Sequence, residues 1–152
     1  MIYVECKADR ELVLTLGIGK KKIIHAGGKS AVCKRLENGK RTKGLVDEDP
    51  ESFQPPYIKS LKILEKKASL KLLYDSLRKN YLIVLCPRLE EWILEAAKEA
   101  RIDLKNYNLP ETGDKLHANI NLNLKNFQRL LHSLKKNKSK RLAVLEEFLK
   151  ET

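Results

Sequence analysis

Short apolar runs alternate with helix-like stretches in the first third of this chain, and this alternation limits the possible folds more than any other feature. Residues 2–5, 22–26 and 43–46 are apolar runs of strand length. Residues 9–16 and 30–38 separate these runs and have the spacing of short helices. Strands that alternate with helices over short connections pair in parallel, and the helices cover the sheet. The sequence therefore predicts an α/β fold with a mostly parallel central sheet and helices on both faces.

Residues that begin and end helices set the expected boundaries of these elements. Asp9 is a candidate N-cap for the first helix, which Gly17 would end. Gly27-Gly28 ends the second strand, and the second helix would close near Gly39. Each predicted element is therefore short and closely connected to the next.

The middle of the chain contains one ambiguous segment. Two consecutive prolines mark residues 51–60 as a loop. Residues 61–64 and 70–74 fit either two strands or pieces of one helix. We favour strands, because residues 75–80 resemble a turn before the strongest strand pattern in the chain, residues 81–86.

A long amphipathic helix is predicted to start at Pro87. Glu91 points away from its apolar stripe, whereas Glu90 lies at the border of the stripe. Glu90 is therefore the acid better placed to face a site beside the sheet. The stripe consists of Leu89, Trp92, Ile93, Ala96, Ala97 and Ala100.

The last third of the chain differs in composition. Residues 103–123 are rich in Asn, Pro and Gly, which indicates a loop, and two amphipathic helices follow. A basic turn separates the two helices, so we predict an αα-hairpin. We therefore expect an α/β domain over residues 1–103, with the loop and hairpin of residues 104–152 packed on it. The apolar positions of the helices are Leu124, Phe127, Leu130, Leu131 and Leu134, then Leu142, Leu145, Phe148 and Leu149.

The charge of the chain is strongly unbalanced. Lys and Arg outnumber Asp and Glu by 31 to 20, which gives a net charge of +11. Such an excess suggests a polyanionic partner, first of all DNA or RNA. A solvated surface rich in Lys and Glu explains the same count equally well. The basic runs Lys20–Lys22 and Lys135–Arg141 are more typical of such a surface than of a defined groove.

Two further features concern the compartment of the protein. No apolar run approaches the roughly 20 residues of a membrane span. The first residues become polar too early for a signal peptide, so we expect a cytoplasmic protein without a membrane partner. Cys6, Cys33 and Cys86 are too far apart for a zinc site and are interpreted as reduced, structural thiols.

Three acidic residues follow predicted strands. Glu5 ends the first strand, and Asp47 and Asp49 follow the third. Ligands of open α/β sheets bind at the carboxyl ends of strands, and alternate residues of extended backbone point to the same side. Clustered carboxylates of this kind are ligands for Mg²⁺ or Mn²⁺. Helix capping and turn formation are the alternative roles, and Asp49-Pro50 is itself a turn signal.

A glycine turn between the second strand and the second helix is a candidate phosphate-binding segment. Backbone N–H groups of Gly27, Gly28, Lys29 and Ser30 would hold the phosphate beside the helix N-terminus. The spacing is not that of a Walker A loop. An ordinary strand-to-helix turn explains the segment at least as well.

The ordered segments IYVEC, HAGGKS and GLVDEDP resemble the Toprim domain of topoisomerases, bacterial-type primases, overcoming-lysogenization-defect nucleases and RecR-type repair proteins. The resemblance implies a Toprim-like fold over residues 1–103. It implies that Asp47 and Asp49 bind Mg²⁺ and that Glu5 is a general acid/base or shares the metal. Many members have Gly after the motif Glu, where this chain has Cys6.

A second segment, VLCPRLEEWILEAA, resembles a later element of small stand-alone Toprim proteins. In those proteins a Glu two residues before a Trp begins a helix, and Glu90 and Trp92 match these positions. The resemblance therefore adds Glu90 to the expected metal site. It covers roughly residues 1–100.

Three functions remain open from the sequence. The first is a metal-dependent nuclease or related phosphotransferase acting on DNA or RNA, with Glu5, Asp47 and Asp49 as catalytic residues. The second is a non-catalytic nucleic-acid-binding module with the same fold. The third is an interaction protein that uses its C-terminal hairpin. We favour the nuclease, because a pure binder of polyanions gains nothing from clustered negative charges.

Overall fold

Six strands form one mixed sheet in the computed structural model, which describes residues 1–150. The strands are β1 Ile2–Val4, β2 Ile23–His25, β3 Lys43–Asp47, β4 Lys62–Lys67, β5 Leu70–Asp75 and β6 Asn80–Leu85. The α-helices are α1 Lys7–Thr15, α2 Lys29–Glu37, α3 Pro56–Lys59, α4 Leu89–Glu99, α5 Gly113–Asn119, α6 Leu124–Lys136 and α7 Lys140–Lys150. Short 3₁₀ turns cover Lys20–Lys22, Leu104–Tyr107 and Ile120–Leu122.

The sheet is mostly parallel, as the strand and helix order predicts. Its strand order is β2-β1-β3-β6-β5-β4, and β2, β1, β3 and β6 are parallel to one another. Val4 lies beside both His25 and Leu45, and Asp47 lies opposite Leu85. The carboxyl ends of the parallel strands therefore meet at one edge of the sheet, which we call the carboxyl edge.

The two antiparallel strands confirm the strand interpretation of the ambiguous middle segment. β5 pairs with β6, and β4 pairs with β5 at the outer border of the sheet. Leu70 at the start of β5 lies opposite Leu85 at the end of β6. The turn between β4 and β5 therefore lies at the carboxyl edge, two strands away from β3.

Helices cover both faces of the sheet. On one face, α1, α4, α6 and α7 bury the larger core together with the sheet. On the other face, α2 and α3 cover a smaller core around Val46, Leu82 and Val84. β6 is apolar on both faces because both cores use it, which matches the uninterrupted pattern of its sequence.

Two helix boundaries differ from the sequence prediction. α1 begins at Lys7, and Cys6 rather than Asp9 is its N-cap residue. Asp9 occupies the third helical position, and its carboxylate accepts a hydrogen bond from the Cys6 backbone N–H, as in a capping box. α4 begins at Leu89 with Arg88 as its N-cap residue, so Pro87 lies before the helix.

Both segments predicted as loops contain helical turns. In the first, Pro56 is the opening residue of α3, a position that suits its fixed φ angle and missing N–H. In the second, α5 and two 3₁₀ turns lie within residues 104–123. Buried apolar residues recur through this second segment and attach it to the larger core, which the Asn- and Gly-rich composition obscures. They are Leu104, Leu109, Leu116 and Ile120.

The two predicted C-terminal helices are present as α6 and α7 and belong to the larger core. α6 packs against α1, and α7 packs against α4. Phe127 and Phe148 are fully buried in the same core as Val4 of β1. Residues 151 and 152 of the predicted C-terminal segment lie outside the described residues. Within residues 1–150, no helix has the length and apolar character to cross a membrane.

Candidate functional site

The carboxyl edge of the sheet brings Glu5 and Asp47 together. Glu5 follows β1, and its Oε2 accepts a 2.6 Å hydrogen bond from the backbone N–H of Asp47, the last residue of β3. This contact follows from the parallel pairing of β1 with β3. Glu5 and Asp47 therefore lie close together at the carboxyl edge.

Asp47 also connects the sheet to the following helix. Its Oδ1 accepts a 2.9 Å hydrogen bond from the backbone N–H of Leu89, the first residue of α4. An anionic side chain is favoured at a helix N-terminus, where backbone N–H groups lack partners. The N-terminus of α4 is therefore held directly over the end of β3.

Glu90, the second residue of α4, is directed inward from the same helix N-terminus. It is only 3% exposed although it is acidic. Its Oε1 lies 3.0 Å from Nδ1 of His117, which belongs to α5. The position of Glu90 on the border of the apolar stripe thus leads to a buried carboxylate beside Glu5 and Asp47.

Asp9 is a fourth acidic residue beside Glu5, Asp47 and Glu90, and it was not among the predicted site residues. It is 2% exposed, and its Oδ2 accepts hydrogen bonds of 3.2 Å from both the backbone N–H and the thiol of Cys6. Its other oxygen, Oδ1, is buried and has no hydrogen-bond partner in residues 1–150. A buried polar atom without a partner is unfavourable by about 1–3 kcal/mol.

The signal for Asp9 was its position four residues after Glu5. Because α1 starts directly after β1, this spacing places an acid in the first helical turn, above the carboxyl end of the strand. If Asp9 were the N-cap residue, α1 would start three residues later and Asp9 would lie before the helix. The predicted helix start therefore did not place Asp9 with the acids at the strand ends. We call Glu5, Asp9, Asp47 and Glu90 the carboxylate cluster.

Burial and mutual repulsion raise the pKa values of the cluster. The pKa of Asp47 is raised to about 9, first by burial and then by the charges of Asp9, Glu5 and Glu90. The pKa of Asp9 is raised to about 7, first by burial and then by Glu5. Burial also raises the pKa of Glu5, although the Asp47 N–H and the charge of Lys29 oppose that shift. The cluster therefore holds protons near neutral pH unless a cation replaces them.

Asp49 is less closely associated with the cluster. The extended strand ends at Asp47, and Asp49 has a positive φ of 39°. The backbone is therefore not extended at Asp49, and the expectation that Asp49 points to the same side as Asp47 does not apply. Its negative charge nevertheless contributes to the raised pKa of Glu5. Glu48 is directed elsewhere and pairs with Lys71 at 2.6 Å.

In the glycine turn before α2, the glycine backbone is accessible, but the amino group of Lys29 already forms hydrogen bonds within the protein. Gly27 and Gly28 have positive φ angles of 103° and 145°, and a side chain at either would meet no neighbouring atom. Lys29 instead extends to the loop after β3, where its Nζ donates to the Glu48 carbonyl at 2.7 Å. The amino group of Lys29 is therefore part of a structural contact. Ser30 is exposed at the start of α2.

The carboxylates influence one another without surrounding a single point. Within residues 1–150, no three His, Cys, Asp or Glu side chains are arranged to hold a metal ion. Glu5 and Asp47 each direct one oxygen to a backbone N–H group. The oxygen-only donor set and the unpartnered Asp9 Oδ1 suit a hard divalent cation. Side-chain rotation would be required to bring three of these oxygens together.

No protein-family model, curated protein or solved structure matches this chain. The Toprim resemblance therefore depends on the sequence segments quoted above.

Proposed function

We propose that this protein is a Toprim-type, metal-dependent enzyme of nucleic-acid phosphoryl transfer, most directly a nuclease. The observation that carries the proposal is the carboxylate cluster at the carboxyl edge, with its buried and unpartnered Asp9 Oδ1. Ligand sites of open α/β sheets lie at this edge. The resemblance of Glu5, Asp47 and Asp49 to the Toprim motif supports the same proposal.

A cation would resolve the electrostatic conflict of the cluster. Burial of several carboxylates without a counterion favours their protonated forms, as the raised pKa values of Asp9 and Asp47 indicate. In the proposed site, Glu5, Asp9 and Asp47 would hold Mg²⁺ or Mn²⁺, and Glu90 and Asp49 would contribute charge around it. When bound, the ion supplies stabilisation of the negative charge that develops on a transferring phosphoryl group.

Glu5 is suited to accept a proton during such a reaction. Its Oε2 is occupied by the Asp47 N–H, which fixes the orientation of the side chain. The pKa of Glu5 is raised by burial, and this brings the group closer to the range of an efficient general base. Gly27 and Gly28 lie one strand away and offer backbone N–H groups to a phosphate.

A non-catalytic nucleic-acid-binding module is the second candidate. It is favoured by the absence, within residues 1–150, of three ligands arranged around one point. It is also favoured by the use of Lys29 in loop packing rather than at an open phosphate site. Such a module predicts salt-sensitive binding without turnover.

The two candidates are distinguished by incubating the protein with plasmid DNA, single-stranded DNA and RNA in Mg²⁺ or Mn²⁺. The nuclease proposal predicts cleavage that EDTA abolishes and that Asp47→Asn and Asp9→Asn each reduce by about 100-fold or more. Asn at position 47 keeps an oxygen for the Leu89 N–H, so α4 should retain its cap.

Glu37→Gln is the matched control for these two substitutions, because it removes one carboxylate from the exposed surface of α2. It should cleave at the wild-type rate. Absence of cleavage of all three substrates, with salt-dependent binding retained, would contradict the nuclease and support the binding module.

A further inference from the structure

We propose that the turn between α6 and α7 forms a phosphate-binding groove, which holds part of a nucleic-acid strand that the protein binds. The inference rests on the proposed function, since it assigns the substrate of that site a second point of contact. The basic run Lys135–Arg141 is more typical of solvated surface by sequence, but its residues 137–141 line a defined groove.

The groove has a volume of about 580 Å³. One wall is the α6–α7 turn, another is the later part of α4, and the third is Ala68 in the β4–β5 turn. Its polar side chains are Asn137, Lys138, Ser139, Lys140, Arg141 and Glu99. Three cations and one carboxylate give the groove a positive balance.

The single carboxylate of the groove does not neutralise its two lysines. Glu99 accepts a 2.9 Å hydrogen bond from Arg141 Nε, and this pair fixes Arg141 against α4. Lys138 and Lys140 are exposed and form no ion pair with any carboxylate of residues 1–150. Two ammonium groups therefore remain available for a polyanion.

The backbone that carries these lysines is well defined. Lys138 has a positive φ of 56° and its N–H donates to the Lys135 carbonyl, which closes the end of α6. Ser139 is buried, and its Oγ accepts from the Leu142 N–H at the start of α7. The turn thus fixes the backbone that carries both lysines, and their exposed side chains extend from defined points.

Ala68 is the part of the groove that lies at the carboxyl edge. Ala68 follows β4, and the neighbouring Ser69 carbonyl accepts from the Cys86 N–H just beyond β6. The lysines lie farther along the helices, because Lys135 Nζ donates to the Thr15 carbonyl at the end of α1 and Lys138 lies near Leu16. The groove and the carboxylate cluster are therefore two separate points of contact for a nucleic acid.

Binding of fluorescein-labelled single-stranded DNA and RNA, measured by anisotropy in EDTA over a range of salt concentrations, tests the groove. The double variant Lys138→Gln/Lys140→Gln should bind about tenfold more weakly, and the slope of log Kd against log salt should fall by about 1.5. The matched control is Lys20→Gln/Lys21→Gln. It removes two exposed lysines just before β2, the outermost strand on the side of the sheet opposite β4.

The control should stay within twofold of wild type, and both variants should unfold at the wild-type temperature. Equal weakening of both variants, or no effect of the groove variant, would overturn the groove. Displacement of the oligonucleotide by polyglutamate at lower concentration than by unlabelled DNA or RNA would also overturn it, in favour of an acidic polypeptide.

The outcome is separate from that of the nuclease proposal. If wild type and Asp47→Asn bind alike through the groove but nothing is cleaved, the groove proposal is supported and the nuclease proposal is contradicted. If wild type cleaves and the groove variant binds and cleaves as wild type does, the nuclease proposal is supported and the groove proposal is contradicted.

Discussion

At the residue scale, Asp47 serves two purposes that conflict electrostatically. Its Oδ1 caps the N-terminus of α4, which favours a charged carboxylate. Burial and the charges of Asp9, Glu5 and Glu90 oppose that charge and raise its pKa to about 9. The cap holds the helix in place, whereas the raised pKa marks a position that a cation would stabilise.

The raised pKa of Asp47 predicts the pH dependence of stability in EDTA. The folded state binds this proton more tightly than the unfolded state does, because the pKa of an aspartate in the unfolded chain is near its ordinary value of 3.8. The resulting contribution to the free energy of unfolding is fully present below about pH 4 and is lost as the pH rises toward 9. Relative to Asp47→Asn, wild type should lose about 1 kcal/mol or more across this range.

Urea unfolding of both proteins at several pH values measures this difference. Asp103→Asn is a suitable control, because its carboxylate lies at an exposed 3₁₀ turn and its pKa is lowered, first by the Lys105 N–H. A stability difference between wild type and Asp47→Asn that does not change between pH 4 and 9 would contradict the raised pKa.

At the element scale, the loop after β3 depends on a residue of α2. Lys29 Nζ donates to the Glu48 carbonyl, to Ser52 Oγ at 3.3 Å and to Gln54 Oε1 at 3.2 Å. Gln54 in turn donates to the carbonyls of Glu48 and Asp49. The loop that carries Asp49 is therefore held by one lysine and one amide.

Lys29→Met should release this loop, because it removes three hydrogen bonds and keeps most of the aliphatic length. The expected loss is about 1–3 kcal/mol in the free energy of unfolding, with faster hydrogen exchange at residues 49–54. Lys34→Met, an exposed lysine of the same helix, is the control. Exchange in this loop that matches the control would contradict a structural role for Lys29.

The elements that sequence could predict are those with a strong apolar pattern. β1, β3, β6 and α4 were predicted close to their observed bounds, since buried strands and amphipathic helices leave clear periodicities. α5 was not predicted, because Leu116 is its one buried apolar residue and the other buried residues nearby are spread through a polar, Asn-rich segment. His117 of α5 could therefore not be placed beside Glu90 from sequence.

The candidate site was predictable from strand order for Glu5 and Asp47, and from helix periodicity for Glu90. Parallel pairing of β1 with β3 is the expected result of their β-α-β-α-β order, and it brings Glu5 to Asp47. The position of Asp9 depended on whether Cys6 or Asp9 is the N-cap residue of α1, a difference of less than one helical turn. The role of Lys29 depended on a loop conformation that periodicity does not encode.

At the scale of the whole molecule, charge is distributed unevenly. The larger core joins β1 to α6 and α7, so the C-terminal helices are integral to the fold over residues 1–150. Four acids are gathered at the carboxyl edge although the chain has a net charge of +11. Basic side chains of the α6–α7 turn line a groove against the later part of α4. The proposed function accounts for this combination, because basic side chains attract a polyanion and a buried acidic cluster would hold the cation that acts on its backbone.

The most direct test of the central claim is calorimetric titration of the metal-free protein with Mn²⁺. The account predicts binding by wild type and by Glu37→Gln, and at least about tenfold weaker binding by Asp9→Asn and by Asp47→Asn. Equal Mn²⁺ affinity in all four proteins, or no binding by wild type, would contradict a cation site in the carboxylate cluster.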